Sequence, residues 1–508
     1  MSGASSFDAR RVMARNTVWN YASAAASILV NLLLFRYVVS HIGEARAGIW
    51  LLLSSLTGYL GLLQLGTVPA VMRFAAAHHA RGEHDEVSRL VSTTLALLAV
   101  LGGVPLLLLP MLPALTVAVG VPPDLAPEAE TAFAIGLLSF AASMPGHAFN
   151  ALLSAVHRQD RCSQVWILSL ALKSAGAALV LGSGRGLLAL VTMELVLVVL
   201  VDAVLAALAF GAVPDLSIAA RLVNRPDLRR LTALGGLLFV SQICSLVIEQ
   251  TDRFVVSAFL SLSMVTYYSA AWKIYMLGNI APTVLLYSFP PVAAALAGRG
   301  ELDDLRRLVF RLTKFAGAIT LPVAGILGFG AGPVLAWWMG ENFAGQAPVV
   351  QILLAGLTVT ALNHAGVAAL IGLDRLGPLV WLYALPQAVA NLLLSLLLVR
   401  PLGLAGVALG TVVPAIALQP VFLHVLMREL AIDWRAWRLH VLRPLLGPAL
   451  CFAPAFATAA TIDASSPVQL LVACGCAAAA LGTFFGLSLS SAERVDLLAM
   501  LRRRAPAV

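Results

Sequence analysis

Long apolar runs recur from one end of the chain to the other. Each is about 20 residues or more, the length an α-helix needs to cross a bilayer's hydrocarbon core. The runs are continuous rather than alternating, which argues against the short period-two strands of a membrane β-barrel. Polar, Gly and Pro breaks place fourteen spans near residues 17–39, 48–77, 89–112, 131–156, 163–181, 186–212, 232–258, 265–295, 309–332, 348–372, 379–399, 402–427, 441–461 and 468–489. The fold class is therefore all-α, a polytopic membrane protein of about fourteen transmembrane helices. The first run, from Asn16 to Val39, is too long for the apolar centre of a signal peptide. It leads into Arg36-Tyr37 rather than a small-residue cleavage site, so it reads as the first span.

Within this pattern one charged stretch occurs twice. RGEHDEVSRLV (Arg81–Val91) returns as RGELDDLRRLV (Arg299–Val309), 218 residues later, with seven of eleven positions identical. Other matches share nearly the same offset: Arg36-Tyr37-Val38-Val39-Ser40 with Arg253-Phe254-Val255-Val256-Ser257, Val165-Trp166 with Val380-Trp381, and Gly186-Leu187 with Gly403-Leu404. Six spans separate the copies, so both units have the same orientation, a parallel repeat about an axis along the membrane normal. The division expected is an N-lobe at 1–231 (spans 1–6), a C-lobe at 232–440 (spans 7–12), and an appended pair with its tail at 441–508. Two lobes of this kind suit alternating access around a central cavity. Locally, the repeated stretch is expected to be a charged, solvated helix start.

Composition agrees with the periodicity: 60% of residues are hydrophobic, 11% are charged, and mean hydropathy is +0.92, against about 25% charged in a soluble domain. The basic residues settle the expected sidedness. Of 33 Lys and Arg, 25 fall on the side holding both termini, and only Arg46, Arg185 and Arg400 on the other. By the positive-inside rule both termini are cytoplasmic. The net charge of +8 reflects this topology, and nucleic acid is not an expected partner. The five cysteines read as small apolar filler, with Cys474 and Cys476 pointing in different directions. No metal site, disulfide framework or cofactor is expected. No P-loop, His-Glu-x-x-His or Gly-x-Ser-x-Gly motif is present, and Asp303-Asp304 reads as a helix start rather than a metal pair. Gly406-x-x-x-Gly410 and Gly482-x-x-x-Gly486 are expected close-packing sites. The in-span prolines, among them Pro145, Pro322 and Pro414, read as static kinks with some capacity for movement.

The run from Asn16 to Glu83, NTVWNYASAAASILVNLLLFRYVVSHIGEARAGIWLLLSSLTGYLGLLQLGTVPAVMRFAAAHHARGE, resembles the start of bacterial polysaccharide flippases of the MOP superfamily, the O-antigen and capsule type. EQTDRFVVSAFLS (Glu249–Ser261) followed by Tyr267-Tyr268, and Leu402–Ala408, resemble that family's helices 7 to 8 and the segment before helix 12. The likeness covers spans 1–12. It implies a V-shaped transporter that moves undecaprenyl-diphosphate-linked oligosaccharide from the inner to the outer leaflet of the inner membrane. Its partners would be membrane lipids, polysaccharide polymerase and export machinery. Many such flippases have twelve spans; fourteen is the count of the related lipid II flippases, whose arginine-rich first helix is missing here.

In-span charges are costly in hydrocarbon and usually face a cavity or each other. They are Arg36, Arg73, Lys173, Glu194, Asp202, Glu249, Asp252, Arg253 and Lys273. Arg36, Arg73, Lys173, Arg253 and Lys273 are the candidate substrate contacts, since a diphosphate needs cations and arginine holds it bidentately. For Arg36 and Arg253, structural pairing and snorkelling stay open alternatives. Glu194, Asp202, Glu249 and Asp252 are candidates for neutralising these cations or binding a coupling proton or sodium ion. Gln242, Ser245, Glu249 and Asp252 form one polar stripe on span 7, and Asn20, Ser23, Ser27 and Asn31 one on span 1. Rival readings are a multidrug cation antiporter, a lipid II flippase, and an oligosaccharide polymerase or ligase. The last of these would be an enzyme, and the expected outer loops are too short for one. Finally, MRELAIDWRAWRLHVLRP (Met427–Pro444) suits a helix lying in the cytoplasmic interface near anionic lipid.

Overall fold

A computed structural model describes residues 4–64, 67–213, 215–233, 236–286, 289–459, 467–489 and 493–494. Among them no β-strand occurs. Arg10, Arg11, Arg15, Asn20, Ser23 and Arg502 to Arg504, which entered the charge balance or the span 1 stripe, have side chains outside the described residues.

The chain divides into two compact units, Met1–Thr266 and Tyr267–Val508. The first holds α1 (Ala4–Leu60), α2 (Thr67–Ala80), α3 (His84–Gly103), α4 (Leu112–Ala118), α5 (Ala126–Ala155), α6 (Gln159–Gly182), α7 (Leu187–Ala212), α8 (Arg225–Ala233), α9 (Gly236–Phe259) and the first turn of α10 (Leu262–Leu286). The second holds the rest of α10, then α11 (Phe289–Gly298), α12 (Leu302–Phe329), α13 (Ala331–Met339), α14 (Ala347–Thr360), α15 (His364–Gly372), α16 (Gly377–Leu379), α17 (Leu385–Ala417), α18 (Gln419–Leu430), α19 (Trp434–Trp437), α20 (Arg443–Leu450), α21 (Ala453–Ala459) and α22 (Pro467–Thr483).

Among the described residues nine helical stretches are long and apolar enough to cross a membrane, or ten if the bent pair Leu262–Ile280 and Pro282–Gly298 is one span. The number is lower than fourteen partly because some stretches exceed one crossing. At 1.5 Å per residue the 57 residues of α1 would extend about 86 Å, against a hydrocarbon core of about 30 Å. Gly43 (φ 79°, ψ 165°) breaks α1 between the first two expected spans. Gly403 (φ 57°, ψ −137°) breaks α17 at the start of the expected twelfth. With Glu249, Asp252 and Arg253 close together, α9 stands outside the count. Helices bond most of their backbone N–H and C=O groups within the segment, which is what hydrocarbon requires.

The repeated stretch is a helix stop followed by a helix start, as expected of a charged junction. Gly82 (φ 71°) and Gly300 (φ 74°) supply the left-handed residue. Gly82 N donates to His79 O at 3.0 Å and Glu83 N to His78 O at 3.0 Å; Gly300 N donates to Ala297 O at 3.0 Å and Glu301 N to Leu296 O at 2.9 Å. This is the same Schellman closure twice. Each is followed by acidic residues in the next first turn, Asp85 and Glu86, then Asp303 and Asp304, where the helix dipole favours them. Arg89 pairs with Glu86, Arg306 with Asp303 and Arg307 with Asp304.

In the first unit α9 packs on the second half of α1. Arg253 NH1 donates to Ser55 Oγ at 2.9 Å, Tyr59 and Thr251 share a hydroxyl hydrogen bond, and Thr266 Oγ1 donates to Glu44 O at 2.8 Å. The backbone approach is close: a Cβ on Gly48 would meet Leu262 O at 2.3 Å. Packing thus divides the chain after Thr266, whereas the sequence repeat divides it after residue 231.

In the second unit α12 is the hub for the C-terminal helices. Its Gly317 accepts Leu445, its Gly325 accepts Phe452, and Gly330 just beyond it accepts Leu470; a Cβ at these positions would meet those side chains at 2.6, 2.1 and 2.5 Å. Of the two expected close-packing motifs, Gly406 and Gly410 behave as such, abutting Leu398 O and Ser395 Oγ. Gly482 and Gly486 do not: among the described residues no atom lies within 4 Å of a Cβ built on either. No described helix packs closely on these two glycines, so the spacing alone misled. A second correction concerns Met427–Pro444. After Ala431 turns the chain (φ 50°), Asp433 caps α19, a wide turn follows at Arg438–Leu442, and α20 continues without a break. The segment opens the helix expected as span 13 and is not a separate surface helix.

Candidate functional site

The first unit holds a half-open cavity of about 610 Å³. Five expected spans contribute to it, four of them with several residues at helical spacing. The second half of α1 gives Ser54, Thr57, Gly61 and, just past its end, Gln64; the first half gives Asn31. Helix α5 gives Ser139, Ser143, Gly146, His147 and Asn150. Helix α6 gives Trp166, Ser169 and Lys173, and α7 gives Glu194, Val198, Val201 and Asp202. Steps of three and four residues keep each set on one face.

Two polar centres organise the space. At the first, Lys173 Nζ lies 2.9 Å from Glu194 Oε1, and Trp50 Nε1 donates to the same oxygen at 3.3 Å. The ammonium also sits 6.0 Å from the Trp50 ring centroid, within cation–π range. The cation and the carboxylate are half-buried and offset each other's charge inside an apolar bundle, as in-membrane ions must. At the second centre, Pro145 interrupts the α5 hydrogen-bond ladder because it has no N–H. The next amide, Gly146 N, donates to Asp202 Oδ2 at 3.0 Å. A Cβ on Gly146 would lie 2.0 Å from Asp202 Oδ1, so the carboxylate seats directly on the bared backbone. Gln64 Nε2 and His147 Nε2 lie 3.0 Å apart beside it in the same lining.

Of the nine charges singled out in the sequence, the structure brings Lys173, Glu194 and Asp202 to this cavity. Arg36 is exposed and outside the lining, and Arg73 is exposed with its guanidinium 6.0 Å from the Phe74 ring centroid. Arg253 is half-buried on α9 and donates to Ser55 and to Gln250 Oε1 at 2.6 Å. Asp252 is buried, at 1% exposure, while Gln242, Ser245 and Glu249 share an exposed face of α9. Lys273 is half-buried on α10 in the second unit. By formal charge, with histidine neutral, the cavity of the first unit holds one cation against two carboxylates, so this space is not itself cationic. Sequence reasoning did not single out Trp50, Ser54, Thr57, Gln64, Ser139, Ser143, His147 or Asn150. Their three-and-four spacing was the available signal.

A family model described as "Polysaccharide biosynthesis protein" matches residues 126–348. The chain is 24% identical over 404 residues, 78% of its length and 93% of the relative's, to a putative O-antigen transporter of Shigella flexneri. Among solved structures it resembles an inward-facing multidrug resistance MATE family transporter of the MOP superfamily, with TM-score 0.70, 18% identity and coverage of 80% of this chain and 95% of that one. It also resembles the lipid II flippase MurJ in an inward closed conformation, with TM-score 0.68, 14% identity and coverage of 92% and 98%. The chain is thus a multi-pass membrane protein whose fold is that of these transporters, and whose sequence is similar to a polysaccharide biosynthesis family model and to an O-antigen transporter.

Proposed function

We propose that the chain flips a polyprenyl-diphosphate-linked oligosaccharide from the inner to the outer leaflet of the bacterial inner membrane, for cell-surface polysaccharide synthesis. The observation that carries this reading is the cavity of the first unit. It offers hydroxyls, amides, an imidazole and indoles inside an otherwise apolar bundle. Those groups supply the hydrogen bonds and ring faces that sugars use. The family match and the O-antigen transporter relative point to the same cargo. In this reading fourteen spans place both termini in the cytoplasm, lobes 1–231 and 232–440 alternate around a central space, and 441–508 shelters the polyprenyl tail. Arg36, Arg73, Lys173, Arg253 and Lys273 hold the diphosphate as access alternates. Glu194, Asp202, Glu249 and Asp252 offset those cations or carry a coupling proton or sodium ion. The chain moves the glycan rather than building it, so polymerase and export machinery are its functional partners.

One observation favours the multidrug cation antiporter as a second reading: the two carboxylates against one lysine in the first unit's cavity. Deleting the gene and extracting polyprenyl-diphosphate-linked glycans separates the two. Build-up of one glycan on the cytoplasmic face, reversed by the intact gene, is the expected result and names the cargo. No build-up, with new sensitivity to cationic drugs, would replace the flippase with the antiporter.

A further inference from the structure

The arginines of Met427–Pro444 differ from those of the repeated helix junctions. Arg89, Arg306 and Arg307 pair with acids three residues earlier, and Arg375 NH1 lies 3.6 Å from Glu429 Oε2. Arg435, Arg438 and Arg443 are exposed and have no carboxylate partner among the described residues. The nearby Asp433 is occupied as a helix cap, accepting from the Arg435 backbone N–H at 3.1 Å.

The segment is held rigidly from behind. Trp437, Val441 and Leu445 are buried at 1%, 0% and 7% exposure. Phe310 of α12 meets Trp437 at 6.1 Å and stacks on His440 at 5.3 Å between ring centroids. The wide turn at Arg438–Leu442 adds one residue to that turn. It keeps Leu445 on the buried face and leaves Arg443 outward with Arg435 and Arg438. The outward face also carries Trp434 at 47%, Leu439 at 42%, Leu446 at 59% and Leu450 at 71% exposure. From one end to the other it reads indole, guanidinium groups interrupted by Leu439, then Leu446 and Leu450, the sequence of polarities met on passing from headgroups into acyl chains.

We infer that this face is a binding site for anionic phospholipid of the cytoplasmic leaflet. Guanidinium forks grip phosphate bidentately. Arg435 and Arg443 stand about 12 Å apart along the axis at 1.5 Å per residue, too far for one phosphate. A lipid with two phosphates on one molecule bridges them and gains by linkage. A diphosphatidyl lipid therefore binds more tightly than phosphatidylglycerol, and phosphatidylcholine does not bind. The site is separate from the cavity, and the inference does not depend on the proposed cargo.

The test is native mass spectrometry of the full chain released from detergent with cardiolipin, phosphatidylglycerol or phosphatidylcholine added. Wild type should retain the first most strongly. Arg435→Gln/Arg438→Gln/Arg443→Gln should weaken retention about a hundredfold, at about fivefold per arginine. A charge-matched variant, Arg158→Gln/Arg161→Gln/Arg299→Gln, should retain it. Equal loss in both triple variants, or equal retention of phosphatidylcholine by wild type, overturns the inference. If the first variant fails to fold, brominated cardiolipin in nanodiscs decides. It should quench wild-type tryptophan fluorescence more than brominated phosphatidylcholine does, and Trp434→Phe should abolish the difference. No difference in wild type rejects the site.

Discussion

Lys173 and Glu194 show how a single pair can make a membrane cavity polar at modest cost. Each ion alone would be an uncompensated charge in an apolar bundle; together, with the Trp50 indole N–H, they form a small network. Lys173→Ala should destabilise the protein by about 1 to 3 kcal/mol, the range for leaving a polar group unpaired. Lys173→Ala/Glu194→Ala should recover part of that loss. A double-mutant cycle on thermal unfolding in detergent measures this coupling, and strict additivity would mean the pair contributes nothing. Gly146 is constrained differently. Its Cβ-free backbone is the seat of Asp202, so Gly146→Ala must expel the carboxylate. Transport, read as glycan accumulation, should fall as far in Gly146→Ala as in Asp202→Ala, and no further in the double variant. Further loss in the double variant would show that the two residues act separately.

The helices explain why some of this was legible and some was not. Apolar length announced the spans, and Gly82 and Gly300 marked the same junction twice because only a left-handed residue closes both helices that way. Nothing lies within 4 Å of a Cβ on either glycine, so the strain of an added side chain comes from the backbone alone. Gly300→Ala should cost about 1 kcal/mol, Gly82→Ala the same, and Asn at either site less; unfolding of the four variants checks it. The cavity lining was harder to read because its hydroxyls look silent. Ser54 Oγ donates to Trp50 O at 3.0 Å, Thr57 Oγ1 to Leu53 O at 3.2 Å and Ser143 Oγ to Phe140 O at 2.7 Å. A serine or threonine that bonds its own helix is tolerated anywhere in a span, so only its register with other polar residues betrays a cavity. Val198 and Val201 are worse still, since an apolar cavity wall and a lipid-facing wall have the same composition. Gly482-x-x-x-Gly486 shows the converse error, a spacing with no close-packed helix among the described residues.

At the scale of the whole chain, the basic residues sort by sequence position but not by role. Lys314 was counted among the cytoplasmic charges, yet it lies on α12 at 7% exposure, its Nζ 2.6 Å from Glu493 Oε1. Ser488 Oγ donates to Pro444 O at 2.5 Å nearby, and Arg494 donates to Leu489 O at 3.2 Å. The C-terminal helices therefore end on a bond back to the hub of the second unit. Glu493→Ala should leave a buried ammonium uncompensated, at about 3 to 5 kcal/mol. Lys314→Met/Glu493→Ala should restore most of it. Thermal inactivation in detergent would show the order wild type, double variant, single variant; a single variant as stable as wild type would remove the bond from the account.

That bond also sets a clock. Glu493 is synthesised 179 residues after Lys314, which at about 5 to 20 residues per second is roughly 9 to 36 s. During that interval α12 carries a lysine whose counter-charge does not yet exist. Until the last helices arrive, the nascent second unit must keep that ammonium in water or against another carboxylate. A late step of biogenesis is then the burial of a charge, and a ribosome stalled before Glu493 leaves behind a chain whose Lys314 lacks that counter-charge.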